Sequence, residues 1–239
     1  MTVAACHQPN FFPWLGYFHK IRWSDTFVFL DDVLLQKTRG SVTNRVTIGI
    51  AGKADWMSAP LDRSYSGNIA IHEVRFAPDD PWREKAISTM KMHYGKAPHF
   101  RELAPVLFPL LENPEPMLAA YNMHAIEAIA KLLGLVTPLV RSSAFGVEET
   151  STARLAALVA KVGARTYLAG GGAKAYQQDE IFEARGLGVL YQGFTPPLYP
   201  RGHQPELAGL SILDPLMWLG AAGTRALLEV PPGGEGAAS

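Results

Sequence analysis

The first residues with chemical reach are Cys6, His7 and Gln8. A histidine can take up or release a proton near neutral pH, and a glutamine amide can orient a carbonyl or another amide. Their bland role would be to tie a loop together. Cys6 raises the question of a nucleophile, but neighbours on a strand point to opposite faces, so direct pairing with His7 is disfavoured and Cys6 reads as a buried packing residue. A second cluster, Asp31-Asp32, ends the apolar run TFVFL. A carboxylate there could hold a sugar hydroxyl, an amine or a metal. Lys37, Arg39, Asn44 and Arg45 follow as a local basic group that suits phosphate or carboxylate, or simply a solvated loop. The third cluster, Gly170-Gly171-Gly172, could present backbone N–H groups to an anion. It lacks the Lys-Ser/Thr of a P-loop and the G-x-G-x-x-G spacing. His124 falls in an amphipathic segment and reads as structural. No H-E-x-x-H, G-x-S-x-G or C-x-x-C occurs.

These clusters need elements to position them. TVAAC (2–6) is a short apolar run stopped at Pro9, which predicts a buried strand leading into a loop. WLGYFHKIRW has helical spacing, with Leu15, Phe18 and Ile21 on one side and His19 and Lys20 on the other. TFVFLDDVLL (26–35) reads as a strand, and VTNRVTIGI with ADWMSAPL as a hairpin turning at Ala51-Gly52-Lys53. Helices are expected in DDPWREKAISTMKMHY, in PEPMLAAYNMHAIEAIAKLLGL with a stop at Gly134, and in ETSTARLAALVAKVGA under a Ser or Thr cap. PHFRELAPVLFPLLE is expected to form broken helical pieces. TPLVRSSAF, ARTYLAGGGA and GLGVLYQGF read as strands, and SILDPLMWLGAAGTRALL as one helix or two.

Strands alternating with helices imply an α/β fold: a mainly parallel, Rossmann-like sheet with flanking helices and a β-hairpin insertion. The expected organisation is one domain over residues 1–230, with a hairpin subregion near 38–77, a helical subregion near 80–135 and a flexible tail at 231–239. In such sheets ligands bind beyond the C-terminal ends of strands, and all three clusters fall at such ends.

Composition narrows the classes. Lys plus Arg and Asp plus Glu are 22 each, so no global field favours nucleic acid or a membrane surface. A single cysteine excludes an internal disulfide and a cysteine-based zinc site. The start MTVAACHQPN lacks the pattern of a signal peptide, and no apolar run approaches a membrane span. The expectation is a cytoplasmic protein, with no metal or organic cofactor signalled.

The chain also resembles the WbqC-like family. The carrying segments are HQPNFFPWLGYFHKI, DTFVFLDDV with Lys37, and Asn44-Arg45, then RSSAF, STARLAALVAKVGARTYLAGGGAKAY, LYQGFTPPLY and GLSILDPLMWLG. Two departures stand out. The family commonly has a polar run of aromatic and Gln residues where this chain has SVT before Asn44, and Cys6 is not part of its pattern. The His7 position varies among relatives, which favours Gln8. A looser likeness, strand–QPNFFPWLGYFHKI–strand, resembles the opening of nucleotidylyltransferases and pantothenate synthetases. Their His-x-Gly-His signature would fall on Trp14-Leu15-Gly16-Tyr17, where both histidines are absent.

The family resemblance implies glycine transfer onto an amino sugar. The expected activity is therefore an aminoacyl or acyl transferase. His7 or an Asp would accept the proton of the attacking amine. Gln8, Asn44 or the Gly170–Gly172 backbone would bind the oxyanion. Asp31 or Asp32 would hold the acceptor, and Lys37 and Arg45 a phosphate. Asn10 and Tyr176 join the binding set, and Phe11, Phe12, Trp14 and Tyr17 would floor the pocket. Asp214 ranks lower. The partners are a small-molecule acceptor and an activated amino-acid donor: an aminoacyl-tRNA, a carrier-protein thioester or an aminoacyl-adenylate. A non-catalytic sugar- or nucleotide-binding protein and a nucleotidyl-transfer enzyme are the alternatives.

Overall fold

The computed structural model describes residues 2–36, 42–175 and 177–233. Five short strands form a parallel sheet: β1 (Val3–His7), β2 (Thr26–Phe29), β5 (Leu139–Arg141), β6 (Thr166–Ala169) and β7 (Gly188–Tyr191). Their spatial order is β5-β2-β1-β6-β7. Numbered among themselves in chain order they run 3-2-1-4-5, the doubly wound order in which the chain reverses direction beside the first strand. The expected hairpin is present as a separate antiparallel pair, β3 (Arg45–Ile50) and β4 (Lys53–Ser58).

Alternation along β1 and β6 divides two apolar layers. Ala5 and Leu168 face a large core shared with α1 (Leu15–Arg22), α2 (Trp82–Tyr94), α3 (Phe100–Glu112), α4 (Leu118–Leu132) and α7 (Leu213–Ala226). Ala4, Cys6, Tyr167 and Ala169 face a smaller core closed by α5 (Ser151–Lys161) and α6 (Asp179–Glu183). Helix α4 ends as expected, with Gly134 in the left-handed region at φ 67°.

Three expectations are corrected. The segment around Pro105 and Pro109 is one continuous helix, α3, not broken pieces. Both prolines lie on its exposed face four residues apart, so the carbonyls they leave without an N–H partner face water rather than the core. The second strand stops at Phe29, so the Asp pair lies in the loop after it rather than inside a strand running to Leu35. At α5, Thr150 occupies the N-cap position but makes no side-chain cap hydrogen bond. The last helix, α7, is interrupted at Gly220 (φ 72°, ψ 178°), where a side chain would strike the His99 ring.

One buried polar knot joins the hairpin to the helices. The Asp214 carboxylate, fully buried, receives Tyr94 Oη at 2.6 Å, Tyr199 Oη at 2.7 Å, and Arg201 Nε and Nη2 at 3.0 and 2.8 Å. Tyr94 Oη accepts the Gly49 N–H of β3 at 2.9 Å. Position 49 has to be glycine, because a Cβ there would lie 1.7 Å from Arg201 Nη2. Asp214, which sequence reading ranked as a lesser site residue, is thus placed inside this knot.

Candidate functional site

The site begins with a defect in the sheet. β1 pairs with β2 over Ala4–His7, but with β6 only at Val3 and Ala4. The His7 carbonyl bonds Leu30 N–H on the β2 side, and the Thr2 carbonyl bonds Thr166 N–H on the β6 side. By alternation the Cys6 carbonyl also points toward β6, where the strands have splayed apart. No strand N–H meets it. Instead Lys20, reaching back from α1, donates its ammonium at 2.9 Å.

The splay opens a crevice of about 410 Å³ at the C-terminal edge of the sheet, beside the reversal of strand order. His7, Gln8 and Asn10 of the β1–α1 loop, Lys20 of α1, Gly170–Gly172 after β6 and Gln192 after β7 all line it. Trp14 and Tyr17 line it as well. A Cβ added at any of the three glycines would meet open space. Their 3₁₀ turn, Gly171–Ala175, follows directly from β6.

The β1–α1 loop is held from several sides. Asn122 of α4, fully buried, donates both Nδ2 protons, to Pro9 O at 2.8 Å and Thr43 O at 2.7 Å. Ser211 Oγ donates to Phe12 O at 2.7 Å, and Ile212 N–H to Pro13 O at 2.9 Å. Phe12 itself sits at φ 39°, a strained conformation for an aromatic residue that these bonds enforce. Replacing Asn122 by leucine keeps the volume and leaves both carbonyls buried without donors. It should cost about 2–4 kcal/mol, read as a lowered urea midpoint, and release the loop to faster hydrogen exchange. An unchanged midpoint would show that the loop is held without Asn122.

The protonation states follow from the partners. His7 Nδ1 lies 3.1 Å from the Gln8 carbonyl, which can only accept. Nδ1 therefore carries the proton and Nε2 is left as an acceptor. Burial first, then the nearby Lys20 charge, lower the His7 pKa to about 3, against a smaller upward pull from that hydrogen bond. Tyr17 Oη donates to the same carbonyl at 3.0 Å. Burial raises the Cys6 thiol to about 12, outweighing the pull of Lys20 and Arg154, so Cys6 is no ready thiolate. Lys20, only 3% exposed, is lowered to about 8, chiefly by burial.

Behind the crevice, Gln192 Nε2 donates to Gly16 O at 2.7 Å and contacts His19 Nδ1 at 2.9 Å. His19 Nε2 lies 2.6 Å from the Val230 carbonyl, so Nε2 holds the proton and Nδ1 accepts from Gln192.

The other candidates fall elsewhere. Asp31 accepts Ser142 Oγ at 3.2 Å, and Ser143 N and Oγ at 3.0 and 2.7 Å. Asp32 takes a short hydrogen bond from Ser142 and an ion pair from Arg154 at 2.6 Å. Burial opposes its ionisation, but Ser142 and Arg154 outweigh it and hold the carboxyl below its usual range. Neither carboxylate lines the crevice. Asn44 Nδ2 donates to Ala59 O at 2.9 Å at the base of the hairpin, and the Arg45 guanidinium stacks 4.4 Å over Trp56. Phe11 and Phe12 are core, packed with Trp82 and Tyr121 rather than flooring a pocket. Lys37, Arg39, Tyr176 and the end of the tail from 234 lie outside the described residues. Among the described residues no group of three or more His, Cys, Asp or Glu is placed to hold a metal ion, and no helix is long and apolar enough to cross a membrane.

Comparison with known proteins gives two matches. Residues 8–226 match the WbqC-like protein family. An uncharacterized protein of Mycobacterium tuberculosis, Rv1507c, is 30% identical over 228 residues, 92% of this chain and 95% of its own length. No solved structure matches.

Proposed function

The chain belongs to the WbqC-like protein family, and from that premise and the crevice we propose that it is an aminoacyl or acyl transferase. The acceptor is the amine of an amino sugar or a similar metabolite, with glycine the preferred acyl group, in a biosynthetic pathway of the cytoplasm. The observation that supports this best is the crevice itself. It sits at the strand-order reversal, with a neutral histidine acceptor and amide donors on facing walls.

In this reading the amine enters with an N–H on His7 Nε2. Its nitrogen bonds to the acyl carbon, the bond from that carbon to the leaving group breaks, and the amine proton passes by way of His7 to the leaving group. Gln8 and the Gly170–Gly172 backbone supply N–H donors for the oxyanion formed on the way. The Asp31 and Asp32 oxygens are engaged by Ser142, Ser143 and Arg154, so acceptor binding passes to groups lining the crevice. A second reading, a non-catalytic ligand-binding protein, is favoured by one feature: a histidine whose pKa is lowered to about 3 is a weak base.

The deciding experiment mixes the protein with a panel of nucleotide-linked amino sugars and three glycine donors: glycyl-tRNA, a glycyl thioester, and glycine with ATP. Small molecules and intact protein are then weighed by mass spectrometry. The transferase reading expects an acylated sugar whose rate falls at least about a hundredfold in Gln8→Ala. A panel member that raises the melting temperature without turnover from any donor would replace it with the binding-protein reading.

A further inference from the structure

Lys20 is a charge in an unusual place. It lies 97% out of solvent, on a wall of the crevice, where the sheet has opened. Cys6 O accepts one of its three N–H groups, and the Tyr167 ring centroid lies 5.8 Å from Nζ. Among the described residues no carboxylate forms an ion pair with it, and none lines the crevice. A buried ammonium without a counter-charge is costly, and a bound anion would remove that cost.

A second group in the same crevice is also incomplete. Asn10 is 2% exposed, and its Oδ1 has no hydrogen-bond partner among the described residues. That oxygen accepts and cannot donate. The two needs are complementary. One wall asks for a negative charge, and another asks for an N–H or O–H.

We propose that the crevice binds a small ligand carrying both an oxyanion, seated on Lys20 and the Gly170–Gly172 backbone, and a hydrogen-bond donor, seated on Asn10 Oδ1. The oxyanion is a phosphate or a carboxylate. The two share the chemistry of charge and lone pairs that Lys20 recognises. This inference deepens the proposed function but does not depend on turnover, since binding alone tests it.

The groups facing Lys20 also fix how pH acts. They are Cys6 and His7 on β1 and Tyr167 on β6; Tyr17 lines the same crevice from the same helix, and Arg154 of α5 adds a permanent positive charge felt at Cys6. Burial keeps the thiol protonated and the imidazole neutral across neutral pH, so Lys20 itself is the group that changes charge. Its pKa of about 8 in the unliganded protein should rise when an anion binds, and anion affinity should fall as pH climbs above that value.

Calorimetric titration tests this on the full chain with four probes. O-phosphoethanolamine and glycine each carry an anion and an ammonium. Ethyl phosphate and acetate carry the anion without the N–H donor. One anion class should bind, with the donor-bearing member tighter. Lys20→Met should weaken that binding at least tenfold, and raising pH from 7 to 9.5 should weaken it in the unmodified protein. Asn10→Leu should erase the preference for the donor-bearing member while leaving binding of the plain anion. If Lys20→Met fails to fold, the pH series and Lys20→Arg decide, because arginine keeps the charge at pH 9.5 and should keep the affinity there. No saturable binding of any probe, or binding indifferent to both Lys20 variants and to pH, overturns the proposal. Failure of the transferase assay with intact probe binding would overturn only the proposed function.

Discussion

Asp214→Ala should cost the protein about 3–5 kcal/mol, because it strands a buried guanidinium. The Arg201 side chain is 1% exposed, and without Asp214 its remaining named partner is the Pro205 carbonyl at 2.8 Å. Two phenols, Tyr94 and Tyr199, lose their acceptor in the same step. A loss of that size consumes much of the roughly 5–15 kcal/mol that holds a typical domain together. Urea denaturation measures it directly. The double variant Asp214→Leu/Arg201→Met removes both charges and should be less damaged than the single change. A single variant as stable as the parent would sink the account of this knot.

Acid should weaken the fold well above the pH at which carboxylates matter. The folded-state pKa of His7, about 3, lies below the ordinary 6.5. The stability held by its neutral ring is therefore complete above about pH 6.5 and is lost as pH falls toward 3. His19, lowered mainly by burial against the pull of the Val230 carbonyl, acts in the same direction. The lowered carboxyls of Asp32, Glu149 and Glu229 start from ordinary values of 3.8 to 4.5, so their contribution is lost below that range. Lys20, whose lowered pKa is about 8, stays charged in both states across this window. Between pH 6.5 and 4.5 the slope thus belongs to the two histidines. For His7 it amounts to at most about 2–3 kcal/mol, reduced by the ring's partial exposure to the crevice. His7→Gln keeps a donor for the Gln8 carbonyl and cannot titrate. Urea midpoints at pH 7, 6 and 5 should fall more gently for the variant. Parallel curves for variant and parent would show that His7 does not set the slope.

Strand ends mark the crevice most plainly at β1 and β6. Cys6-His7-Gln8 and Gly170–Gly172 were legible as clusters at one sheet edge, and the strand order brings them to facing walls. Asp31-Asp32 obeys the same rule but lies past β2, toward β5, where the Ser142-Ser143 turn meets it. Sequence alone does not reveal that two serines far along the chain will occupy those oxygens. Lys20 was missed for a different reason. Helical spacing set it opposite Leu15, Phe18 and Ile21, a side usually given to solvent, but α1 is buried nearly all round. Gln192 could have been found: it follows the last strand at the same edge, and the rule applied to the earlier strands selects it equally. Asn122 carried no such signal, being a polar residue on the buried face of a helix whose partners are backbone carbonyls.

The opening between β1 and β6 has a consequence for how the protein is made. The β2 wall beside β1 is encoded within the first thirty residues, but β6 begins only at Thr166, and the Gln192–Gly16 and Val230–His19 bonds close the back later still. Contacts so distant in sequence form slowly and cannot form before their partners are synthesised. During translation β1 therefore waits with one edge bare, the kind of edge that invites wrong pairing and needs shielding. Ligand capture at this crevice would correspondingly be a late event, because its lining runs as far along the chain as Gln192.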